Sequence, residues 1–219
     1  TRTERDVNIR SLTVGAFDEN TYLVADEATG DAILVDPGAE PARIIDLVRD
    51  SKVALRAIWL THAHLDHIGG IAGVTRQWNV PIFMHPADAP VYAFAERAAA
   101  MYGIEFEIPP TPDRALAEGD VLRIGAIEFA VWHVPGHAPG HVVFLGGGVM
   151  LGGDLLFAGS VGRVDLPLSD PRAMQRSLDR LAALPGETVV HPGHGPLTTL
   201  DSERRTNPFL SGSTRLVAR

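Results

Sequence analysis

Apolar and polar residues alternate along Val7, Ile9, Leu12 and Val14, and this period of two predicts a first strand over Val7 to Val14. Asn20 to Ala25 and Ala32 to Val35 are predicted as two more, the second closed by the turn Asp36-Pro37-Gly38. From Pro41 to Asp50 the spacing changes to that of a helix, with proline in the first turn and Ile44, Ile45, Leu47 and Val48 on one face. Val53 to Leu60 is the next strand. His67 to Trp78 keeps helical spacing despite Gly69, Gly70 and Gly73, which point to close backbone approach. Val80 to His85 is a short strand, Pro90 to Met101 an alanine-rich helix, and the prolines of Ile108 to Pro112 mark a surface loop placed to hang over a site.

Beyond that loop, Val121 to Ile124, Ile127 to Val134, Val142 to Leu145 and Val149 to Leu151 are predicted as successive strands. Pro171 to Leu184 is helical, and Thr188 to Val190 is a strand. Strands followed by a strand–helix alternation occur in both halves of the chain, a pattern that fits two sheets face to face with helices outside. No fixed-period repeat, low-complexity segment or linker interrupts the 219 residues, so 1-219 is read as a single domain.

Composition narrows the function classes. No run of about 18 apolar residues is present, so no membrane span is expected. The opening Thr1 to Asp6 is polar and lacks the apolar core of a secretory signal, and a cytoplasmic location is expected. The absence of cysteine removes disulfides, thiolate nucleophiles and cysteine ligands for a metal. A net charge of −8 argues against a nucleic-acid partner. Lys52 is the one lysine, so most basic residues are arginines, suited to paired contacts with carboxylates.

The candidate chemistry gathers in Thr61 to Gly70, where His62, His64, Asp66 and His67 fall within six positions directly after an apolar strand. In an extended segment His62 and His64 project to one side, and a helix starting near Asp66 aims Asp66 and His67 at a second point. Imidazole and carboxylate ligands suit zinc, and also iron and manganese. Two neighbouring pairs suggest two adjacent metals. Further along come His133, His137 and His141, then Asp154 after Gly152-Gly153, then His194 between glycines. Each stands at the carboxyl end of a predicted strand, in a turn shaped by Gly and Pro, where a rigid sheet holds functional loops.

These motifs resemble the metallo-β-lactamase superfamily, and within it the short glyoxalase II-like (hydroxyacylglutathione hydrolase-like) enzymes. The matching elements are His-x-His-x-Asp-His at His62 to His67, Pro-Gly-His at His137, Gly-Asp at Asp154 and Pro-Gly-His-Gly-Pro at His194, in the family's order across most of the chain. The resemblance implies an α/β fold, an αββα sandwich of two mixed sheets flanked by helices, with a two-metal site on one edge. It assigns His62, His64 and His137 to one metal and Asp66, His67 and His194 to the other, with Asp154 bridging. Five imidazoles and two carboxylates exceed the roughly four ligands of one tetrahedral zinc. Two divalent ions, zinc first with iron or manganese as alternatives, lower the pKa of a bridging water from about 15.7 to about 7 and yield a hydroxide nucleophile. Asp66 and Asp154 are the catalytic carboxylates in this reading.

His133 and His141 are read as holding the loop or orienting a ligand, and His85 and His191 as loop packing. Arg163 is read either as a surface salt-bridge partner of Asp165 or as a contact for a substrate carboxylate. Tyr22 and Phe157 are read as core in preference to lining a pocket.

Within the superfamily, lactamases with a cysteine ligand are excluded by composition. Those with a second-site histidine usually lack the bridging aspartate, and nucleases carry extra domains or basic surfaces. The segment Glu203 to Leu210 resembles the end of the glyoxalase II hydrolase domain, which implies an acyl-thiol substrate such as S-lactoylglutathione. Val164 and Asp165 stand where longer members place an aromatic residue. The chain ends at Arg219, where those members continue into a glutathione-binding segment, so the short members match better. The alternatives are a persulfide dioxygenase using one iron held by two histidines and an aspartate, a lactonase, and, least favoured, a non-catalytic binding module.

Overall fold

Strand β2 (Glu19–Asp26) is buried along its whole length. Side chains alternate across a strand, so Leu23 and Ala25 pack on one face while Tyr22 and Val24 pack on the other, and two different surfaces must cover them. The computed structural model, which describes residues 7–216, shows what those surfaces are. Thr1 to Asp6, whose polarity was read above, lies outside the described residues.

The first sheet runs β1 (Val7–Val14), β2, β3 (Asp31–Val35), β4 (Ala54–Trp59), β5 (Ile82–Met84) and β6 (Arg114–Ala115). It is antiparallel through β3 and parallel from β3 to β6. Strands β7 (Val121–Ile124), β8 (Ile127–His133), β9 (Val142–Gly146), β10 (Val149–Gly153), β13 (Val189–Pro192) and β14 (Thr198–Thr199) form the second, in the order β14-β13-β10-β9-β8-β7. Only β10 and β13 pair in parallel there. A two-stranded hairpin, β11 (Leu156–Phe157) with β12 (Ser160–Val161), stands apart.

Between the sheets lies one apolar layer, with Trp59 of β4 against Phe129 at 5.7 Å and Phe144 at 5.1 Å between ring centroids. Such aromatic pairs add about 0.5–1.5 kcal/mol each beyond their burial. The outer face of the first sheet packs on α1 (Pro41–Ser51), α3 (Ile71–Gln77) and α4 (Ala89–Tyr102) through Ile44, Val48, Ile71, Val74, Val91 and Ala95. The second sheet packs on α5 (Pro171–Arg180) and α6 (Leu200–Thr206) through Met174, Leu178 and Leu200. Four layers result, αββα, as the sequence predicts. No helix among the described residues is long and apolar enough to cross a membrane.

Three local readings need correction. The helix predicted over His67 to Trp78 is two helices, α2 (Leu65–Ile68) and α3, because the Gly70 N–H turns away to donate to the Pro37 carbonyl at 2.8 Å. A Cβ at Gly70 would stand 2.8 Å from that same oxygen, so the glycine is what lets the two chains meet. The end of the helix predicted to Leu184 tightens into a 3₁₀ turn over Leu181–Ala183. The proline loop does not hang over the histidines. Ile108 and Pro112 line a cavity between the loop and α4, together with Tyr92 and Phe106.

Candidate metal centre

The two sheets are stitched together at one edge by backbone bonds: Val142 N–H donates to the Thr61 carbonyl at 2.8 Å, and Asn20 N–H to the Gly193 carbonyl at 2.7 Å. That edge carries the carboxyl ends of β4, β8, β10 and β13. From them come His62 and His64, His137, Asp154 and His194, while the one-turn helix α2 presents Asp66 and His67. Sequence positions 130 residues apart therefore meet because strand ends do.

The donor atoms of His62, His64 and His137 lie within 4.8 Å of one another, and so do those of Asp66, His67 and His194. His64 Nδ1 is 2.9 Å from His137 Nε2. Asp154 reaches both groups: its Oδ2 is 3.4 Å from His137 Nε2 and 3.6 Å from His194 Nε2, and its Oδ1 is 3.4 Å from His67 Nε2. A tetrahedral ion with bonds of about 2.0–2.1 Å sets its ligand atoms about 3.4 Å apart, so these spacings suit one. Buried His62 Nε2, His67 Nε2 and Asp154 Oδ1 have no hydrogen-bond partner, so each of the two groups holds an unpaired buried ring nitrogen. An unpaired buried polar atom is costly, and a divalent cation in each group would relieve it.

The far sides of four of the five rings are anchored. His137 Nδ1 lies 2.8 Å from the Arg163 carbonyl and His194 Nδ1 3.0 Å from the Phe17 carbonyl. Behind His62 and His67 stands Asp36, a residue the sequence reading passed over as part of a turn. Its Oδ2 accepts from Thr61 Oγ1 at 2.5 Å and from His67 Nδ1 at 3.0 Å, while Oδ1 accepts from Thr61 N–H at 2.8 Å. Thr61 Oγ1 in turn lies 3.0 Å from His62 Nδ1. One buried carboxylate thus orients a ring of each group and turns both Nε2 atoms inward. Asp36, His62 and His67 also form a third close trio, but the Asp36 oxygens are already committed to these bonds.

Two further carboxyl groups escaped the sequence reading. Asp88 accepts from Ala63 N–H at 2.8 Å and from Gly140 N–H, tying the His62–His64 turn to the turn before His141. Burial pushes its pKa up to about 6 against the pull of those two donors. Glu19 is fully buried 3.9 Å from His67 Nδ1, and burial raises its pKa well above the carboxylate range. The only legible signal for either was charge inside an apolar stretch.

The two groups differ in charge. Burial, reinforced by neighbouring imidazoles, holds His62 well below the ordinary histidine range, and His64 is lowered to about 3. His137 is lowered too, since burial outweighs Asp154. For His67 burial works downward, but Asp154 and Asp66 prevail and its pKa is raised; His194 is raised by Asp66 and Asp154 against burial. Asp66 and Asp154 are correspondingly held low despite burial, by His67 and its companions.

The remaining histidines stand off the cluster. His141 accepts from Asp154 N–H at 3.0 Å and stacks on His62, which fits the reading that it orients a ligand. A Cβ on Gly153 would meet His141 Nε2 at 2.8 Å and Thr61 Oγ1 at 2.4 Å, so only glycine lets Asp154 sit this close. His133 stacks on His85, 4.1 Å between centroids, and its Nε2 lies 2.9 Å from the Pro139 carbonyl. His191 packs edge-on against Tyr22, whose hydroxyl donates to the Pro192 carbonyl at 2.7 Å in the core. Phe157 departs from its core reading: its ring stands edge-on to His194 at 5.9 Å. Arg163 pairs with Asp165 through two bonds of 2.8 and 2.9 Å on the surface, and it also lines the cavity above the cluster.

That cavity, about 490 Å³, has His64, Asp66, His137, Asp154 and His194 at its floor. Phe17, α4 and Leu166 to Leu168 wall it.

Residues 14–194 match the family model of the metallo-beta-lactamase superfamily. The chain is 33% identical over 210 residues to hydroxyacylglutathione hydrolase GloC of Haemophilus influenzae, covering 94% of this chain and 99% of that protein. Among solved structures it is similar to TTHA1623 in a di-iron-bound form, with a TM-score of 0.85 and 47% identity over 92% of this chain and 100% of that one. It is likewise similar to ETHE1 from Myxococcus xanthus, with a TM-score of 0.78 and 28% identity over 94% of this chain and 85% of that one. Fold, strand-end cluster and family match lead to one conclusion: the chain belongs to the metallo-beta-lactamase superfamily.

Proposed function

We propose that this member of a metallohydrolase superfamily cleaves small-molecule thioesters, S-lactoylglutathione or a related acyl-thiol, using two divalent metals held by His62, His64 and His137 and by Asp66, His67 and His194. The observation that carries this reading is Asp154, a single carboxylate within 3.6 Å of ring nitrogens from both groups at the floor of an open cavity. Similarity to GloC supports the substrate class, and the donor set accepts zinc, iron or manganese. When bound, such ions polarise a carbonyl oxygen and lower the pKa of water to supply the nucleophile.

The chain's own groups do the rest. Asp66 and Asp154 are the carboxylates of the cavity lining, both held ionised, and they are placed to take the proton released by the attacking water. Their fixed partners cost no reorganisation when charge moves. A thiolate leaves with little protonation, so no separate general acid is needed. Arg163 at the rim offers its guanidinium to a carboxylate of the thiol carrier.

The test is metal content of protein purified without added metal, paired with turnover of acyl-glutathiones and acyl-coenzyme A esters by the fully loaded protein. About two metals per chain and thioester hydrolysis are expected; no turnover across the panel overturns the reading. The Arg163–Asp165 pair beside His137 fits one rival, the dioxygenase, equally well, because its relatives also share an arginine–aspartate element after the bridging position. Iron as the sole metal, with oxygen uptake on glutathione persulfide, replaces the hydrolase reading by that one.

A further inference from the structure

The mouth of the cavity is unusually apolar. Of the eight large hydrophobic side chains exposed among the described residues, Phe17, Phe94, Met101, Tyr102 and Leu168 line this cavity. Met101 is 73% exposed and Leu168 59%, so water meets most of each, and an exposed apolar cluster of this kind marks a binding surface. Phe17 and Tyr102 meet edge-on at 5.3 Å across the rim. Leu168 adds an independent sign. Its φ is 68°, in the left-handed region that a branched side chain avoids, yet the chain places leucine there and aims it at solvent. Nothing in the packing of the core requires that residue.

Charge is scarce at the same mouth. Among the lining residues Arg163 is the one guanidinium, and Asp165 already pairs with it. A substrate whose carbonyl sits over the floor extends in two directions from it, through the thiol and through the acyl carbon. One cation suits an anionic thiol carrier, and the apolar remainder is left for the other arm. Resting on the thioester-hydrolase reading, we propose that the Phe94, Met101, Tyr102, Leu168 and Phe17 wall receives an apolar acyl chain, and that the site prefers thioesters of longer, apolar acyl groups over the short, hydroxylated lactoyl group.

Full burial of a methylene corresponds to about a fourfold gain, and a wall open on one side gives about twofold per methylene. Two measurements test this. Binding of the non-hydrolysable thioethers S-methyl- and S-hexylglutathione, followed by calorimetry on metal-free and metal-loaded protein, is expected to favour the hexyl compound about 30-fold in both forms. Across acetyl-, butanoyl- and hexanoylglutathione, kcat/KM is expected to rise about 15-fold, mostly through KM, because the chain lies away from the reacting carbon. Leu168→Gly removes the side chain and relieves the backbone, so it keeps its Tm while the hexanoyl-to-acetyl ratio drops below about 5. Equal affinity for the two thioethers, a flat or falling acyl series, or a gain that appears only when the thiol arm is lengthened overturns the acyl assignment while thioester turnover stands. A thioether gradient with no turnover of any thioester overturns the hydrolase reading and, with it, the identification of the bound chain as an acyl group.

Discussion

The two halves of the cluster solve the problem of buried polarity in opposite ways. His62, His64 and His137 are neutral rings crowded together, with lone pairs converging and no counter-ion of their own. Asp66, His67, His194 and Asp154 mix carboxylates held low with imidazoles raised above their ordinary range, each kind favouring the charged form of the other. On the proposed two-metal reading, the first group can take a cation as it stands, whereas the second binds one in competition with protons. Two carboxylates join them, Asp154 from the cavity side and Asp36 from behind.

Removing the front link is the severest way to break this contrast. Asp154→Asn should cost more than the roughly 10–100-fold that follows loss of a residue behind a ligand, and metal content should drop; unchanged occupancy and rate would show that the two groups do not share it. Next, His137→Ala and His194→Ala should each lower metal content by about one ion per chain, from different groups, as read by plasma mass spectrometry. A loss of both ions in either variant would mean that the groups are not separable. The back link gives a graded version. Asp36→Asn should weaken metal binding about 10–100-fold in both groups, whereas Thr61→Val, which removes the His62 contact but leaves the Asp36–His67 bond in place, should weaken the His62 group more than the other.

Acid sharpens the contrast further. Protons hold His67 and His194 at higher pH than an ordinary imidazole, while His62, His64 and His137 resist protonation. As pH falls from about 7 to about 5, the ion on the Asp66–His67–His194 side should leave first, giving two resolved steps of metal release; a single step would erase the difference. The smallest effect concerns stability. Asp88 has a folded-state pKa of about 6, above its usual carboxylate value, so its contribution is fully present at low pH and is lost as pH rises from about 4 through 6. The stability of the wild type relative to Asp88→Asn should therefore fall by about 1–3 kcal/mol over that window in urea unfolding.

Much of this was legible in the chain. Alternation in β1 and β8, the apolar run of β4 and the amphipathic spacing of α1 follow from local periodicity, and the histidines declared themselves by spacing. Helix α2 parted from α3 for a reason outside any local window, the Pro37 carbonyl capturing the Gly70 N–H. Very short pieces, such as β6 and the β11–β12 hairpin, carry too few residues for a pattern to show. Phe157 looked like core because nothing near it in sequence says that His194 is its neighbour.

What the sequence determined by itself was the donor chemistry and its place at strand ends, because residue type and the turn-forming glycines and prolines are local facts. Tertiary structure alone decided which donors share a point, that Asp36, Thr61 and Asp88 stand behind them, and that the cavity mouth is apolar with Arg163 as its one guanidinium. The physical reason is that these are contacts between sheet edges and loops far apart along the chain, where burial and electrostatics depend on what surrounds a residue and not on what precedes it.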